Sequence, residues 1–168
     1  MNAGAYGGEM GFVVESVDYM DKNGELGKLI NTPGSDYFTY RHSYFHDHTD
    51  LIILGVTFRL EIATENDPVK IAEKNMQARK DKQPLEYPSC GSAFKRPSGY
   101  FAGALIEQAG LKGKGIGGAY VSEKHAGFIV NKGGATTADV VALLKYVEEK
   151  VYAMSGVTLE PEIRVVKD

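Results

Sequence analysis

A glycine–serine pair and two adjacent cations occur together in residues 91–97, GSAFKRP. Near the C-terminus, residues 159–164, LEPEIR, place the carboxylate of Glu162 between apolar neighbours. A hydroxyl, fixed positive charges and a carboxylate suit an anionic substrate that must gain a proton on carbon, because cations hold the anion while the other groups manage the proton. Taken alone, Ser92 is also an ordinary turn residue, and Lys95 with Arg96 is also an ordinary solvated pair.

Composition limits the classes of partner. The chain has 168 residues, 43% of them hydrophobic, which is enough to bury a core. Its net charge of −3 provides no broad basic field, so we expect no nucleic-acid partner. The single cysteine, Cys90, excludes an internal disulfide framework and is typical of a reducing compartment. No apolar run is long enough for a signal or a membrane span, so we expect a cytoplasmic protein without membrane contact.

The elements that position these groups change in character along the chain. The first third predicts strands and loops, and a domain boundary is expected where Asp67 and Pro68 begin a helix. The predicted elements are a hairpin of residues 12–20 and 25–30, a loop over 31–50, a strand over 51–62, helices over 68–82, 101–109 and 136–155, strands over 119–121, 127–130 and 158–166, and an extended connector over 83–88. Thr136 and Asp139 predict a capping box. Without a regular βαβ alternation, the pattern indicates an α+β fold.

Three other groups of residues invite different chemistry. A metal site in the histidine-rich segment is not favoured, because no third ligand has a diagnostic spacing; the residues concerned are His42, His46, Asp47, His48 and Asp50. The glycine run at 113–118 lacks the strand, helix and acidic residue of a dinucleotide-binding loop. Cys90, His125 and Asn131 follow the order of a cysteine hydrolase triad, but their separation is far too short for the papain type.

Seven stretches in a fixed order carry a family resemblance over nearly the whole chain. They are 2–7 (NAGAYG), 40–43 (YRHS), 91–97 (GSAFKRP), 105–113 (LIEQAGLKG), 116–119 (IGGA), 125–131 (HAGFIVN) and 159–164 (LEPEIR). In these stretches the chain resembles the UDP-N-acetylenolpyruvoylglucosamine reductases, the MurB family. The resemblance implies reduction of the enolpyruvyl ether of UDP-N-acetylglucosamine to UDP-N-acetylmuramate for peptidoglycan, with FAD as cofactor and NADPH as reductant.

The resemblance also implies roles for individual residues. Ser92 matches the proton donor, and Arg41 and Glu162 match the groups that polarise the substrate carboxylate and stabilise the intermediate. The remaining matches are contacts to substrate, at Tyr40, Lys95, Arg96 and His125, and a loop on the flavin side, at Asn2, Tyr6 and Gly7. From its neighbours alone, Arg41 is equally compatible with a structural salt bridge.

Three departures from the family pattern refine this prediction. Cys90 stands where the family has a small residue other than cysteine, and the missing insertion before Pro68 indicates the shorter branch, without a tyrosine loop. The largest departure is the flavin-binding region that precedes NAGAYG in the family, so the chain resembles a C-terminal fragment. Residues 1–66 are then expected to be a β-rich remnant of the FAD-binding domain, and 67–168 the substrate-binding domain, with a small antiparallel sheet and helices.

Two further expectations follow. If the chain is such a fragment, we expect the face left by the absent domain to be apolar and to drive self-association. A noncatalytic module that binds a UDP-sugar or another anion is the alternative function, and it would use the cations Lys95, Arg96, Lys112 and Lys114.

Overall fold

The computed structural model describes residues 1–63 and 67–166. It contains two compact units, Met1–Ile71 and Ala72–Asp168. The division falls inside a helix, whereas the boundary predicted after residue 66 adjoins residues 64–66, which lie outside the described residues. The assignment of the first unit to an FAD-binding domain stays a prediction.

The first unit is built from short antiparallel pairs. Its elements are β1 (Gly4–Ala5), β2 (Gly8–Glu9), α1 (Met10–Val13), β3 (Val14–Met20), β4 (Leu26–Ile30), β5 (Phe38–Thr39), β6 (His42–Ser43), α2 (Tyr44–Asp47) and β7 (Ile52–Phe58). The main sheet has the order β4-β3-β7, and β1-β2 and β5-β6 are separate two-stranded ladders. The predicted hairpin is thus confirmed as β3 and β4.

The turn of this hairpin is formed by Asp21 and Gly24, two of the residues that predict it in the sequence. The Asp21 carboxylate accepts the backbone N–H groups of Asn23 and Glu25, each at 2.8 Å. These hydrogen bonds lower the pKa of Asp21, and the bond from Glu25 has the larger effect. Gly24 has a φ of +83°, a left-handed conformation that glycine adopts without a steric penalty.

Two expectations for this unit were wrong. Residues 31–50 are not a loop alone, because they contain β5, β6 and α2. Ser43 begins α2 through a capping box in which the His46 side chain takes the place of the usual Glu or Gln. The strand predicted over 51–62 ends at Phe58, with Arg59 N donating to Val13 O at 2.8 Å as the last bond of the ladder.

The second unit has an antiparallel sheet packed against helices. Its elements are α3 (Pro68–Lys82), which begins in the first unit, β8 (Ser89–Ser92), α4 (Ala102–Gln108), β9 (Gly115–Ile116), β10 (Ala119–Val121), β11 (Phe128–Asn131) and α5 (Thr137–Ser155). The strand order is β8-β11-β10-β9. A core with Ile106, Leu143 and Val147 at 1% exposure or less joins α4 and α5 to the sheet. The predicted α+β fold is confirmed.

The glycine run at 113–118 packs against the start of α5. A Cβ atom at Gly117 would lie 2.4 Å from Asp139 Cγ, and one at Gly118 would lie 2.4 Å from the backbone of Ala135. Asp139 also closes the predicted capping box with Thr136. Its pKa is lowered by hydrogen bonds from the Thr136 backbone and hydroxyl and from the Gly118 backbone. The glycines therefore allow close packing at the helix start, which agrees with rejecting a dinucleotide loop.

The final strand predicted over 158–166 was wrong. Phe94 and Pro161 form only an isolated bridge. Two backbone bonds flank it, Lys95 N to Glu160 O at 2.8 Å and Glu162 N to Ala93 O at 2.9 Å. Because Pro161 has no N–H group, it cannot donate to a longer ladder.

Candidate active site

Ser92 ends β8 at the surface of the second unit. It pairs with Phe128 of β11, and the next residue, Ala93, donates its N–H to Gly127 O at 2.8 Å. Gly91 before it has a φ of +81°, so the chain turns sharply and the side chain of Ser92 is exposed. The Ser92 hydroxyl makes no hydrogen bond to another described residue, which leaves it able to approach a ligand.

Backbone pairing brings Glu162 next to this segment. Its N–H donates to Ala93 O at 2.9 Å, directly beside Ser92 in the chain. The residue is partly buried. The structure therefore places the predicted hydroxyl and carboxylate on adjacent segments, although they are far apart in sequence.

Lys95 and Arg96 extend the same segment but are held differently. Lys95 forms an ion pair with Glu160. The Arg96 guanidinium lies over the Phe101 ring, with 4.1 Å between Cζ and the ring centroid. Cation–π contact with the exposed Phe101 ring orients the guanidinium.

Local contacts orient His125, which lies two residues before Gly127, the residue whose carbonyl accepts the Ala93 N–H. Its Nδ1 accepts the Gly127 N–H at 3.1 Å, and its ring packs edge-on against Phe128 with centroids 4.9 Å apart. Because Nδ1 accepts this hydrogen bond through its lone pair, the neutral ring carries its proton on Nε2. His125 can therefore donate a hydrogen bond from Nε2 to a ligand.

A cleft of about 520 Å³ opens beside Ser92. Its lining residues come from the end of α3, the connector, β8 and β11; they are Arg79, Gln83, Pro84, Leu85, Tyr87, Pro88, Ser89, Gly91, Ser92 and Phe128. Arg79 and Tyr87 were not predicted at the site, because residues 83–88 were expected to be only an extended connector. Their position in the sequence is the one indication of this placement, since the aromatic Tyr87 and the cationic Arg79 both precede the glycine–serine pair.

Arg41 and Tyr40 lie in the first unit, at the two-residue tip between β5 and β6. The Arg41 guanidinium lies 5.0 Å from the centroid of the Tyr40 ring. Arg41 has a φ of +57°, at a turn position where glycine or asparagine is usual. Backbone strain of this kind is often concentrated at functional sites, and it presents the guanidinium at a loop tip.

The predicted flavin-side loop forms a similar tip. Tyr6 and Gly7 connect β1 to β2 with φ values of +52° and +83°, as a type I′ turn requires. Tyr6 and Arg41 are the two non-glycine residues with positive φ in the described part of the chain. Tyr6 is 55% exposed, so its ring is available at the tip.

Asn2 connects the two tips from inside the unit. It is 2% exposed, and its Nδ2 donates to Glu9 Oε2 at 2.8 Å and to Thr39 O at 3.1 Å. Its Oδ1 accepts the Gly11 N–H at 2.9 Å. Since every polar atom of this side chain has an internal partner, Asn2 holds the loop in position, and its match to the flavin-side loop of the family stays a prediction.

The histidine-rich segment has structural contacts. His42 pairs with Asp47 at 3.2 Å, and His48 Nδ1 lies 2.9 Å from Tyr44 O, with the two rings stacked at 3.7 Å. Over residues 1–63 and 67–166, no group of three or more acidic, cysteine or histidine side chains is arranged to hold a metal ion. Helices in the same part of the chain are too short or too polar to cross a membrane.

Cys90 is an exposed free thiol in β8. Asn131, the third member of the remote triad, accepts the N–H groups of Gly133 and Ala135 at 2.8 and 3.2 Å. These bonds shape the loop before α5 and explain Asn131 without a hydrolase.

The first unit contains a cleft of about 390 Å³. Its lining residues can be compared with what the pyrophosphate of FAD requires. Glu9 and Glu15 contribute carboxylates to its lining, and Arg59, the one cation among the described lining residues, is paired with Glu15. A pyrophosphate requires unpaired donors or cations. The lining of this cleft therefore does not fit the pyrophosphate of FAD.

Taken together, the second unit is an α+β domain that carries an exposed serine at a cleft, a carboxylate on the segment paired with the next residue, and two cations further along the same segment. The chain belongs to the UDP-N-acetylenolpyruvoylglucosamine reductase family: the model of the C-terminal domain of that reductase matches residues 83–166. The predicted resemblance is thereby confirmed.

Individual relatives agree with this assignment. The chain is 48% identical to UDP-N-acetylenolpyruvoylglucosamine reductase of Pediococcus pentosaceus and 50% identical to that of Caldanaerobacter subterraneus, covering 99% of this chain and 54% of each relative. The crystal structure of the Thermus caldophilus reductase (MurB) superimposes with a TM-score of 0.79 at 33% identity, covering 98% of this chain and 57% of that one. The chain thus spans about half the length of the curated relatives it matches.

Proposed function

We propose that this chain supplies the substrate-binding and proton-donating part of a UDP-N-acetylenolpyruvoylglucosamine reductase. Such an enzyme reduces the enolpyruvyl ether of UDP-N-acetylglucosamine to UDP-N-acetylmuramate, with FAD and NADPH supplying the electrons. The observation that carries the proposal is the exposed Ser92 hydroxyl at the cleft, with Glu162 on the paired segment. The single free cysteine fits the cytoplasm, where the soluble precursor would be reduced.

Ser92 is the proposed proton donor in this reaction. A serine hydroxyl is a weak acid, so it gives up its proton only to a strongly basic carbon within hydrogen-bond reach. In this structure the hydroxyl is exposed and is not engaged by a described residue, so a bound substrate can take it as a donor. Protonation of carbon by Ser92 completes the reduction of the enolpyruvyl group.

Cations hold the substrate carboxylate while negative charge develops beside it. The family resemblance assigns this task to Arg41 of the first unit, and a guanidinium can bind a carboxylate through two parallel hydrogen bonds. Tyr40 flanks it at the same turn. Lys95, Arg96 and His125 provide further donors for the anionic parts of a UDP-sugar, and Glu162 completes the polar set around the reacting group.

Calorimetry with UDP-N-acetylglucosamine enolpyruvate tests the binding part of the proposal. We expect the 168-residue chain to bind this substrate and Ser92→Ala to bind it with similar affinity, because the hydroxyl acts on the transition state. Absence of binding by the wild-type chain would refute both this proposal and the alternative of a noncatalytic UDP-sugar module.

A chimera tests the catalytic part. It joins the region of the Pediococcus pentosaceus reductase that this chain does not span to the whole of this chain. We expect the chimera to oxidise NADPH when substrate is added and Ser92→Ala to lower that rate at least a hundredfold. A chimera that binds flavin and substrate but does not turn over would favour the noncatalytic module, and an unchanged rate for Ser92→Ala would exclude Ser92 as the donor.

Self-association remains part of the proposal, with a second copy of this chain as the partner. β7 is an edge strand in which every residue except Gly55 is exposed, and it contains no charge and no proline that would discourage edge pairing. Its five large apolar side chains are 42–56% exposed, which amounts to roughly 500 Å² against the ~800 Å² that each partner contributes to a standard interface. Leu60 and Ile62, 74% and 90% exposed, supply much of the remainder.

A further inference from the structure

The cleft beside Ser92 has an aromatic wall that the proposed proton transfer does not use. Tyr87 lines the cleft and is 41% exposed. Its hydroxyl makes no hydrogen bond to another described residue, and Pro84 and Pro88 line the cleft on either side of it in sequence. A half-exposed ring between prolines presents an apolar face to whatever occupies the cleft.

This wall is held in place before any ligand arrives. Lys124 Nζ donates to Lys80 O at 2.7 Å and lies 3.8 Å from a carboxylate oxygen of Glu86. Beyond the ring, Asn131 N donates to Pro88 O at 2.9 Å, which attaches the connector to β11. Contacts on both sides of Tyr87 reduce the ordering cost of binding against its ring.

The cleft is lined by both polar and apolar side chains, a combination that suits a sugar ether. Arg79 is its one cation among the described lining residues, and its Nε donates to Gln83 Oε1 at 3.4 Å. Leu85 and Phe128 add apolar surface, and Ser92 provides the hydroxyl. A volume of about 520 Å³ is within the ~300–1,000 Å³ of small-molecule sites.

The covalent structure of the substrate decides which of its parts can reach Tyr87. The enolpyruvyl group is attached to the hexose ring directly, whereas the uracil base is separated from that ring by the diphosphate and the ribose. If the reacting carbon lies at Ser92, the neighbouring group in the same cleft is the hexose. The C–H face of a hexose packs well on an aromatic ring.

We infer that Tyr87 forms the hexose subsite of this cleft, with its ring packed against the N-acetylglucosamine ring of the substrate. The inference rests on the proposed function. Tyr87 orients the sugar so that its enolpyruvyl ether faces Ser92, and it discriminates a UDP-hexose from UDP alone. The ring face, and not the hydroxyl, makes the contact.

Calorimetry with two ligands tests the subsite on the 168-residue chain. For UDP-N-acetylglucosamine enolpyruvate we expect Tyr87→Ala to weaken binding about tenfold and Tyr87→Phe to bind within twofold of wild type. For UDP, which lacks the hexose, both variants should match wild type, and this unchanged binding also shows that they are folded. Tyr152→Ala, which removes a 58% exposed tyrosine from α5 outside the cleft, is the matched control and should change neither affinity.

The outcomes separate the two proposals. A wild-type chain that does not bind the enolpyruvyl substrate overturns the proposed function, and the subsite with it. Wild-type binding with an equal affinity for Tyr87→Ala overturns the subsite alone. An equal loss of UDP and substrate affinity in Tyr87→Ala also overturns it, because the tyrosine would then not act on the hexose.

Discussion

Replacing Asn2 by alanine should destabilise the first unit selectively. The side chain is 2% exposed and makes three hydrogen bonds, at 2.8, 3.1 and 2.9 Å, to Glu9, Thr39 and Gly11. Each is worth about 1 kcal/mol net, and the partly buried Glu9 carboxylate and Gly11 amide lose a partner, which adds to the cost. We therefore expect Asn2→Ala to lower the free energy of unfolding of this unit by about 3–4 kcal/mol.

Native-state hydrogen exchange is the suitable assay, because it reports on the two units separately. The Gly11 amide should lose protection, together with the β1-β2 and β5-β6 ladders, while amides of α5 should keep theirs. Asn23→Ala is a matched control, since Asn23 is an exposed turn residue whose side chain, among the described residues, bonds only to Asp21. A loss below about 1 kcal/mol, or an equal loss in α5, would refute the role of Asn2 as the internal link.

Two further predictions concern the start of α5 and the edge of the first sheet. The lowered pKa of Asp139 means that its carboxylate stabilises the second unit above its unfolded value of 3.8, and that this contribution is lost as pH falls through the lower folded pKa. Thermal unfolding should therefore show Asp139→Asn to be less stable than wild type at neutral pH and closer to it in acid; a constant difference would contradict this. Leu54→Lys on β7 should shift sedimentation towards the monomer at a given concentration, whereas a wild-type chain that is monomeric at all concentrations would exclude self-association.

Local signals predicted local structure well. Asp21 and Gly24 indicated the turn between β3 and β4, and the helical spacing after Thr136 indicated α5 with its capping box. These elements form through contacts within a few residues, so their pattern is visible in sequence. The prediction of a final strand was wrong because a strand depends on pairing with a distant segment. Here the pairing is limited to one bridge between Phe94 and Pro161, and Pro161 has no N–H to extend it.

The site divides in the same way. Residue types singled out Ser92 and Glu162 as candidates, the family resemblance added Arg41 and the roles predicted for all three, and the order of the motifs identified the family. The tertiary structure decided that Glu162 lies on the segment paired with Ala93, and that Arg41 occupies a turn with positive φ. It also showed that Tyr87 lines the cleft at Ser92 and that Asn2 is an internal link. Residue types and their order are written in the chain, whereas pairing between distant segments and the burial of a side chain exist only after the backbone has folded.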